Sequence, residues 1–402
     1  MIGALVLILI LFGITQGIHN SLSKKHQFFD KKLMNVLYLY HVFFFWVYYS
    51  YTIFNRSDSI MYYNRPQIRE SWFSYFGTST TFIDFLTWPF INVLGFSYEM
   101  MMVLFAWFGY IGFVYAYLFF RENIPIKIKV FNIDFLTLIL FLPNMHFWTA
   151  SLGKGAPIFM SLMMFAYAIK DPKTRWGTLL IGSLITYYIR PHVFLFVAAG
   201  TVLGFMTGKE KIAFWKKMLV YIGMIGSLLM VQDTILGMAG LNESENLVEG
   251  FDQFSTERGA ELSKSGSGVD MANYPLPVKL FTFWFRPLFF DAPGILGLIV
   301  SVENLIYLLL FFKILKGDFI RFLKKSPTTV KMSLTTFFLA SLAMAFVMSN
   351  LGIIMRQKSM VMYFLFFVIY YYLAQKKYDR IVKKRRLMQK RQKAKEAALA
   401  AQ

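Results

Sequence analysis

The chain has 402 residues, of which 57% are hydrophobic and 19% are aromatic, and it carries a formal net charge of +20. This composition is far more apolar than that of an ordinary soluble domain. The absence of cysteine excludes disulfides, thiol catalysis and thiolate metal sites.

Apolar runs follow one another along almost the whole chain. Since roughly 20 apolar residues cross a bilayer core, the runs predict an all-α, polytopic integral membrane helix bundle of about eleven transmembrane helices. The first run lacks a basic flank and a small-residue cleavage site, so we expect a retained helix and not a signal peptide. The predicted spans are 2–18, 33–54, 98–120, 131–148, 156–169, 176–189, 191–206, 218–238, 294–315, 332–350 and 359–374.

The gaps between these runs differ greatly in positive charge. One alternating set of gaps, together with the tail, holds 31 of the 42 Lys and Arg residues. Because positive charge stays in the cytoplasm, this asymmetry predicts an outer N-terminus and an inner C-terminus. We expect a transmembrane domain over 1–374, with outer loops at 55–97 and 239–293, and a basic cytoplasmic tail over 375–402.

The basic cluster between Lys376 and Lys395 comes directly after the last predicted span. Such a cluster is better explained by orientation and by contact with anionic lipid headgroups than by nucleic-acid binding. The expected partners of the chain therefore include membrane lipids and exclude nucleic acid.

Two parts of the chain depart from the simple pattern of spans. The outer loop 55–97 begins polar and then becomes amphipathic, which predicts a segment at the membrane interface that breaks or kinks at Pro89. The runs 156–169 and 176–189 are short for crossing a bilayer, so a sunken helical hairpin is the alternative to two full spans.

Four cations lie near predicted outer span ends, on the side where positive charge is otherwise scarce. They are Lys154, Arg190, Arg286 and Arg356. A charge at membrane depth is costly without a partner, and Arg and Lys are good ligands for phosphate oxygens. The pattern therefore predicts a site for a phosphate or pyrophosphate on a lipid tail, although each cation could instead reach lipid phosphate or a nearby acid. With their basic neighbours, the candidate binding residues are Lys154, Arg190, His192, Arg286, Arg356 and Lys358.

Carboxylates of the first outer loop are candidates for a general base acting on a sugar hydroxyl. The alternative is that they pair with the arginines of the same loop. The candidate catalytic acids are Glu70, Asp84 and Glu99, and the candidate partners are Arg56, Arg65 and Arg69.

Two further acids lie within predicted spans. We expect a structural ion pair for Asp134, and the sequence leaves the role of Glu303 open. No metal-ligand spacing, phosphate-binding loop or dinucleotide-binding glycine pattern occurs, so neither a metal nor a cofactor is expected.

With these features, the chain resembles bacterial envelope polysaccharide polymerases of the Wzy/EpsG-like type, which belong with the GT-C glycosyltransferases that use lipid-linked sugars. The resemblance covers most of the chain in topology, but in motif it covers only short segments. In place of the acid or acid pair typical of the family's first outer loop, this chain has Asp58 alone among polar residues. The matching segments are Ser97–Met100, Phe147–Lys154, Arg190–His192 and Gly352–Lys358.

The resemblance implies a multi-pass protein of the bacterial cytoplasmic (inner) membrane. It implies that Arg190, Arg286 and Arg356 hold the pyrophosphate of an undecaprenyl-linked glycan while an outer-loop acid assists glycosyl transfer. Two alternatives remain: a transporter of lipid-linked oligosaccharide, and a non-catalytic subunit that binds other envelope-assembly proteins. A transporter would need cations along a path through the bundle, whereas spans two to eight carry them only at their ends.

Overall fold

The structure is a computed structural model that describes residues 1–68, 71–210, 247–263, 267–269, 271, 274–315 and 317–400, with a few single positions between 211 and 226. Helices dominate this part of the chain, so the all-α prediction is confirmed for it. Its one named sheet is a hairpin formed by β1 (Lys129–Val130) and β2 (Ile133–Asp134).

The N-terminal part contains two long antiparallel helices, a loop of short helices and a third long helix. Polar caps fix some helix starts: Asp30 accepts a hydrogen bond from the Leu33 amide at 3.0 Å. The helices are α1 (Ile2–Lys25), α2 (Lys31–Phe54), α3 (Asp58–Asn64), α4 (Thr80–Trp88) and α5 (Tyr98–Asn123).

Shorter helices fill the middle of the chain. They are α6 (Phe135–Leu140), α7 (Pro143–Thr149), α8 (Gly155–Ala168), α9 (Trp176–Ile189) and α10 (Pro191–Thr207).

The C-terminal part ends in a helix of 50 residues. The helices of this part are α11 (Leu247–Ser263), α12 (Leu276–Phe285), α13 (Gly294–Phe312), α14 (Phe319–Lys324), α15 (Thr328–Val347) and α16 (Leu351–Ala400).

Five helices of the described chain are long and apolar enough to cross a membrane. These are α1, α5, α13, α15 and the part of α16 that ends at Ala394. α8 and α9 have only 14 residues each, as their short apolar runs predicted. Most of the predicted span 218–238 lies outside the described residues.

The predicted span 131–148 is wrong as a single helix. The chain there forms a strand and then two short helices, α6 and α7, with a break before Pro143. Proline has no N–H to donate and fits the first turn of a new helix. At the other predicted break, α4 ends at Trp88 and a π-helical turn begins at Pro89.

The core of the bundle is built around α5 and the apolar half of α16, which are the most deeply buried of the long helices. α8 packs on α5, α9 packs on α8, and α15 packs between α10 and α16. The basic half of α16 beyond Ala374 is exposed, so the tail is helical without a core of its own.

α10 and α15 pack closely because α10 presents two glycines one turn apart. A Cβ at Gly200 would lie 2.9 Å from the Met332 carbonyl oxygen, and one at Gly204 would lie 2.8 Å from that of Thr328. Both contacts are with backbone atoms, which cannot move aside without a substantial cost in free energy. This is the small-residue packing by which apolar helices associate in membranes.

We expect the double substitution Gly200→Ala/Gly204→Ala to lower the free energy of unfolding by about 1–3 kcal/mol, because each methyl group overpacks the α10–α15 contact. The matched control is Gly13→Ala/Gly17→Ala on α1, where each new Cβ would meet nothing within 4 Å. Unfolding followed by circular dichroism in detergent measures both. Equal stability of the two variants would contradict this account of the contact.

Candidate functional site

A cavity of about 390 Å³ lies where several distant segments of the chain meet. It is bordered by α3, the start of α4, the α7–α8 turn, the α9–α10 junction and the start of α16. We call it the Arg190 cavity. Its acidic and basic lining residues are Asp58, Lys154, Arg190, His192 and Arg356.

The turn between α7 and α8 presents Lys154 to this cavity. Only glycine fits the next position, since a Cβ at Gly155 would lie 2.3 Å from the carbonyl oxygen of Trp148. The Lys154 ammonium donates a hydrogen bond to Ser79 Oγ at 2.7 Å. The Ser79 amide donates in turn to the Tyr188 carbonyl oxygen at 2.6 Å. These bonds tie the lysine, the first loop and the end of α9 together.

Arg190 lies at the sharp junction between α9 and α10. Pro191 occupies the first position of α10, where its missing N–H is not needed. The side chain is buried, with 8% exposure. Its Nη1 donates a hydrogen bond to Gln357 Oε1, while its Nε has no hydrogen-bond partner among the described residues. A buried donor without a partner costs about 1–3 kcal/mol, so an acceptor entering the cavity would stabilise this guanidinium.

Arg356 closes the cavity from the start of α16. One of its guanidinium nitrogens lies 3.2 Å from a carboxylate oxygen of Asp58. The guanidinium also lies over the ring of Trp148, 5.7 Å from its centre. The Arg356–Asp58 pair is partly exposed and therefore weak, and an incoming anion could replace the carboxylate.

The positive charges around the cavity destabilise one another. Burial, together with the neighbouring Arg190 and Arg356, lowers the pKa of Lys154 to about 8. Burial and Arg356 lower the pKa of Arg190 to about 9, so this side chain is still protonated at neutral pH. Among the described residues that line the cavity, Asp58 is the single carboxylate. This excess of positive charge would favour an anion with more than one negative charge.

Arg286 and Lys358 do not line this cavity. Arg286 pairs with Asp291, and Lys358 is fully buried. The Lys358 ammonium donates to the carbonyl oxygen of Arg286 at 2.7 Å and to Asn304 Oδ1 at 2.6 Å. The structure thus brings together Lys154, Arg190, His192 and Arg356 from the predicted set and places the other two in a separate polar network.

Two of the three predicted catalytic acids, Asp84 and Glu99, do not line the cavity either. Asp84 is buried and lies 2.6 Å from an Arg65 nitrogen, which is the alternative pairing raised by the sequence. Glu99 lies in the first turn of α5, where it accepts hydrogen bonds from Ser97 and Tyr49. Glu70 lies outside the described residues.

Sequence reasoning set aside Asp58, the acid that does reach the cavity. The signal available was its position shortly after α2, in the part of the first outer loop where the family that the sequence resembles carries its acid. The other missed lining residues are the neutral side chains of Ser79 and Gln357, whose contacts with Lys154 and Arg190 no local pattern reveals.

The two acids within the bundle have different partners. Asp134 pairs with Arg121 at 2.8 Å, so the predicted structural pairing is confirmed. Glu303 accepts hydrogen bonds from the Asn144 amide at 2.8 Å and from the Tyr307 hydroxyl. Asn144 also accepts a hydrogen bond from Trp148 Nε1 at 3.1 Å, which connects this acid to the cavity wall.

Within the described residues, no group of three or more His, Asp or Glu side chains is arranged to hold a metal ion. Comparison of the chain with protein families, with curated proteins and with solved structures finds no match. The residues of the Arg190 cavity are therefore the basis for a functional proposal.

We expect the affinity of the Arg190 cavity for inorganic pyrophosphate to depend on pH through Lys154. The ammonium is charged below its pKa of about 8 and is lost above it, while a bound anion favours the charged form. Between pH 7 and pH 9 the loss of this charge should weaken binding by up to about tenfold.

The control is Lys154→Arg, which keeps its charge over this range. Pyrophosphate gains negative charge with rising pH, and Arg190, whose pKa is about 9, loses part of its charge in both proteins. The readout is therefore the ratio of the two dissociation constants, measured by calorimetry. Parallel pH profiles for the two proteins would show that Lys154 does not contact the anion.

Proposed function

We propose that the protein is a multi-pass membrane glycosyltransferase or polysaccharide polymerase. It uses sugars linked to polyprenyl (pyro)phosphate at the outer face of a bacterial cytoplasmic membrane. The observation that carries this proposal is the meeting of Lys154, Arg190, Arg356 and Asp58, from four distant parts of the chain, at one cavity.

The sidedness of the cavity supports the proposed topology. All of its cations come from segments that the charge pattern assigns to the outer side. Arg356 and the first lysine of the tail, Lys376, are 20 residues apart on the continuous helix α16, which corresponds to about 30 Å. This is about the thickness of a bilayer core. This separation is compatible with a cavity at the outer headgroup level and a tail at the inner one.

The chemistry of the lining fits a lipid-linked phosphate. A pyrophosphate brings several negative charges, which match three cations better than a single carboxylate does. Binding of the phosphate to Arg356 would release Asp58 from its ion pair. Another oxygen of the bound anion would accept a hydrogen bond from the Nε of Arg190, which has no partner among the described residues.

The proposed reaction assigns a role to each charged side chain of the cavity. The Asp58 carboxylate accepts the proton of an acceptor-sugar hydroxyl, and the hydroxyl oxygen forms a bond to the anomeric carbon of the donor. The bond between that carbon and the phosphate oxygen breaks, and its electron pair leaves with the polyprenyl (pyro)phosphate. Lys154, Arg190 and Arg356 stabilise the negative charge that develops on the leaving group.

We expect Arg190→Ala and Arg356→Ala each to lower kcat by about 10²–10³, the effect of removing one group that stabilises developing charge. Asp58→Asn should lower kcat without weakening binding of the donor lipid, because the donor phosphate no longer has to displace a carboxylate from Arg356. The control is Arg258→Ala, which removes an exposed cation that pairs with Glu261 on α11. The assay follows release of polyprenyl pyrophosphate and growth of the glycan by purified protein in nanodiscs.

Two further assays separate the other readings. In proteoliposomes, movement of the intact lipid-linked glycan across the bilayer without cleavage would show that the protein is a transporter and not an enzyme. Full surface-glycan synthesis in cells that carry all three cavity substitutions would instead favour a non-catalytic subunit.

A further inference from the structure

A second cavity, of about 430 Å³, lies near the far end of the apolar half of α16. Five of its lining residues are cations, and none of the described residues that line it is an Asp or a Glu. We call it the basic cavity. Its cations are Lys129, Lys313, Lys376, Lys377 and Arg380.

Three separate elements bring these charges together. Lys129 belongs to β1, and Lys313 is the residue that follows the last turn of α13. Lys376 and Arg380 lie four residues apart on α16 and therefore share one face of that helix. The cluster is thus a product of the fold and not of one basic stretch of sequence.

The nearby carboxylates leave most of this charge uncompensated. Asp134 is the register partner of Lys129 in the hairpin, but it pairs with Arg121 at 2.8 Å. Asp318 pairs with Lys376 at 2.7 Å. Among the described residues, the other four cations of the cavity have no acid within ion-pair distance. Such a concentration of like charge attracts a polyanion.

An exposed apolar stripe leads along α13 to the basic cavity. Its six side chains are between 38% and 78% exposed and recur at alternating intervals of three and four residues, so they share one face of the helix. The last of them precedes Lys313 directly. The stripe consists of Ile295, Leu298, Val302, Leu305, Leu309 and Phe312.

We propose that the basic cavity binds the headgroup of an anionic phospholipid that carries two phosphates, with its acyl chains along the exposed stripe of α13. Basic pockets between membrane helices on the cytoplasmic side suit such headgroups. Five cations match two phosphates better than one, and the volume lies within the range of ordinary ligand pockets. The adjoining apolar stripe favours a lipid over a soluble polyphosphate. This site does not depend on glycosyl transfer at the Arg190 cavity.

The test measures binding of tetraoleoyl cardiolipin to the full-length protein in detergent by native mass spectrometry, with phosphatidylglycerol and inorganic pyrophosphate as comparison probes. The test variant is Lys129→Gln/Lys313→Gln/Arg380→Gln. The matched control, Lys390→Gln/Arg391→Gln/Lys393→Gln, removes the same charge from the exposed tail outside the cavity. Lys129→Arg/Lys313→Arg keeps the charge and checks that the local fold tolerates substitution.

We expect the test variant to bind cardiolipin at least about tenfold more weakly, while the tail control and the arginine variant bind it as the native protein does. Phosphatidylglycerol should bind more weakly than cardiolipin to the native protein. Equal losses of cardiolipin binding in the test variant and the tail control would show that diffuse electrostatic attraction, and not the cavity, holds the lipid. Pyrophosphate binding as tight as that of cardiolipin would make the ligand a soluble polyanion, and unchanged cardiolipin binding in the test variant would overturn the site.

Discussion

A charge inside an apolar helix bundle is tolerated only where a partner or water reaches it. Much of the arrangement of this chain follows from that constraint. Arg121 has Asp134, and Lys358 has a carbonyl and an amide oxygen, so these cations are satisfied by the protein itself. Arg190 and Arg356 are satisfied only in part, since each has an Nε without a partner among the described residues. Arg65 also has an Nε without a partner among the described residues although it pairs with Asp84, so what sets Arg190 and Arg356 apart is that both line one cavity.

The unequal distribution of positive charge between the two predicted sides of the membrane was enough to identify three cations of the Arg190 cavity, because their segments share one predicted side. These cations are Lys154, Arg190 and Arg356. The charge distribution could not separate Arg356 from Lys358. Side chains two positions apart on an α-helix point about 200° apart around its axis. Arg356 therefore faces the cavity, while Lys358 points into the bundle. Likewise, sequence alone could not choose between Asp58 and Asp84. The choice depends on Arg65, which reaches Asp84 through the fold of the loop.

The predicted bounds agree best for α2, α9 and α10, whose ends lie within two residues of 33–54, 176–189 and 191–206. The long apolar runs are also helical, but α1 continues to Lys25 beyond its predicted end at residue 18. Hydropathy failed over 131–148, where the average is apolar but Pro143 and the β hairpin divide the segment. The bends and turns that hydropathy misses also build the site. Lys154 follows the turn after α7, and Arg190 stands at the junction before Pro191.

The aromatic wall of the Arg190 cavity is attached to the interior of the bundle. The Trp148 indole donates to the side-chain Oδ1 of Asn144, and the backbone N–H of Asn144 donates to Glu303 on α13. Asn144 thus connects this indole to a hydrogen-bonded carboxylate far from it in sequence. By thermodynamic reciprocity, if occupancy of the cavity changes the free energy of protonating Glu303, then protonation of Glu303 changes the affinity of the cavity for its occupant by the same factor. Occupancy at the surface and the protonation of the interior would then be coupled variables.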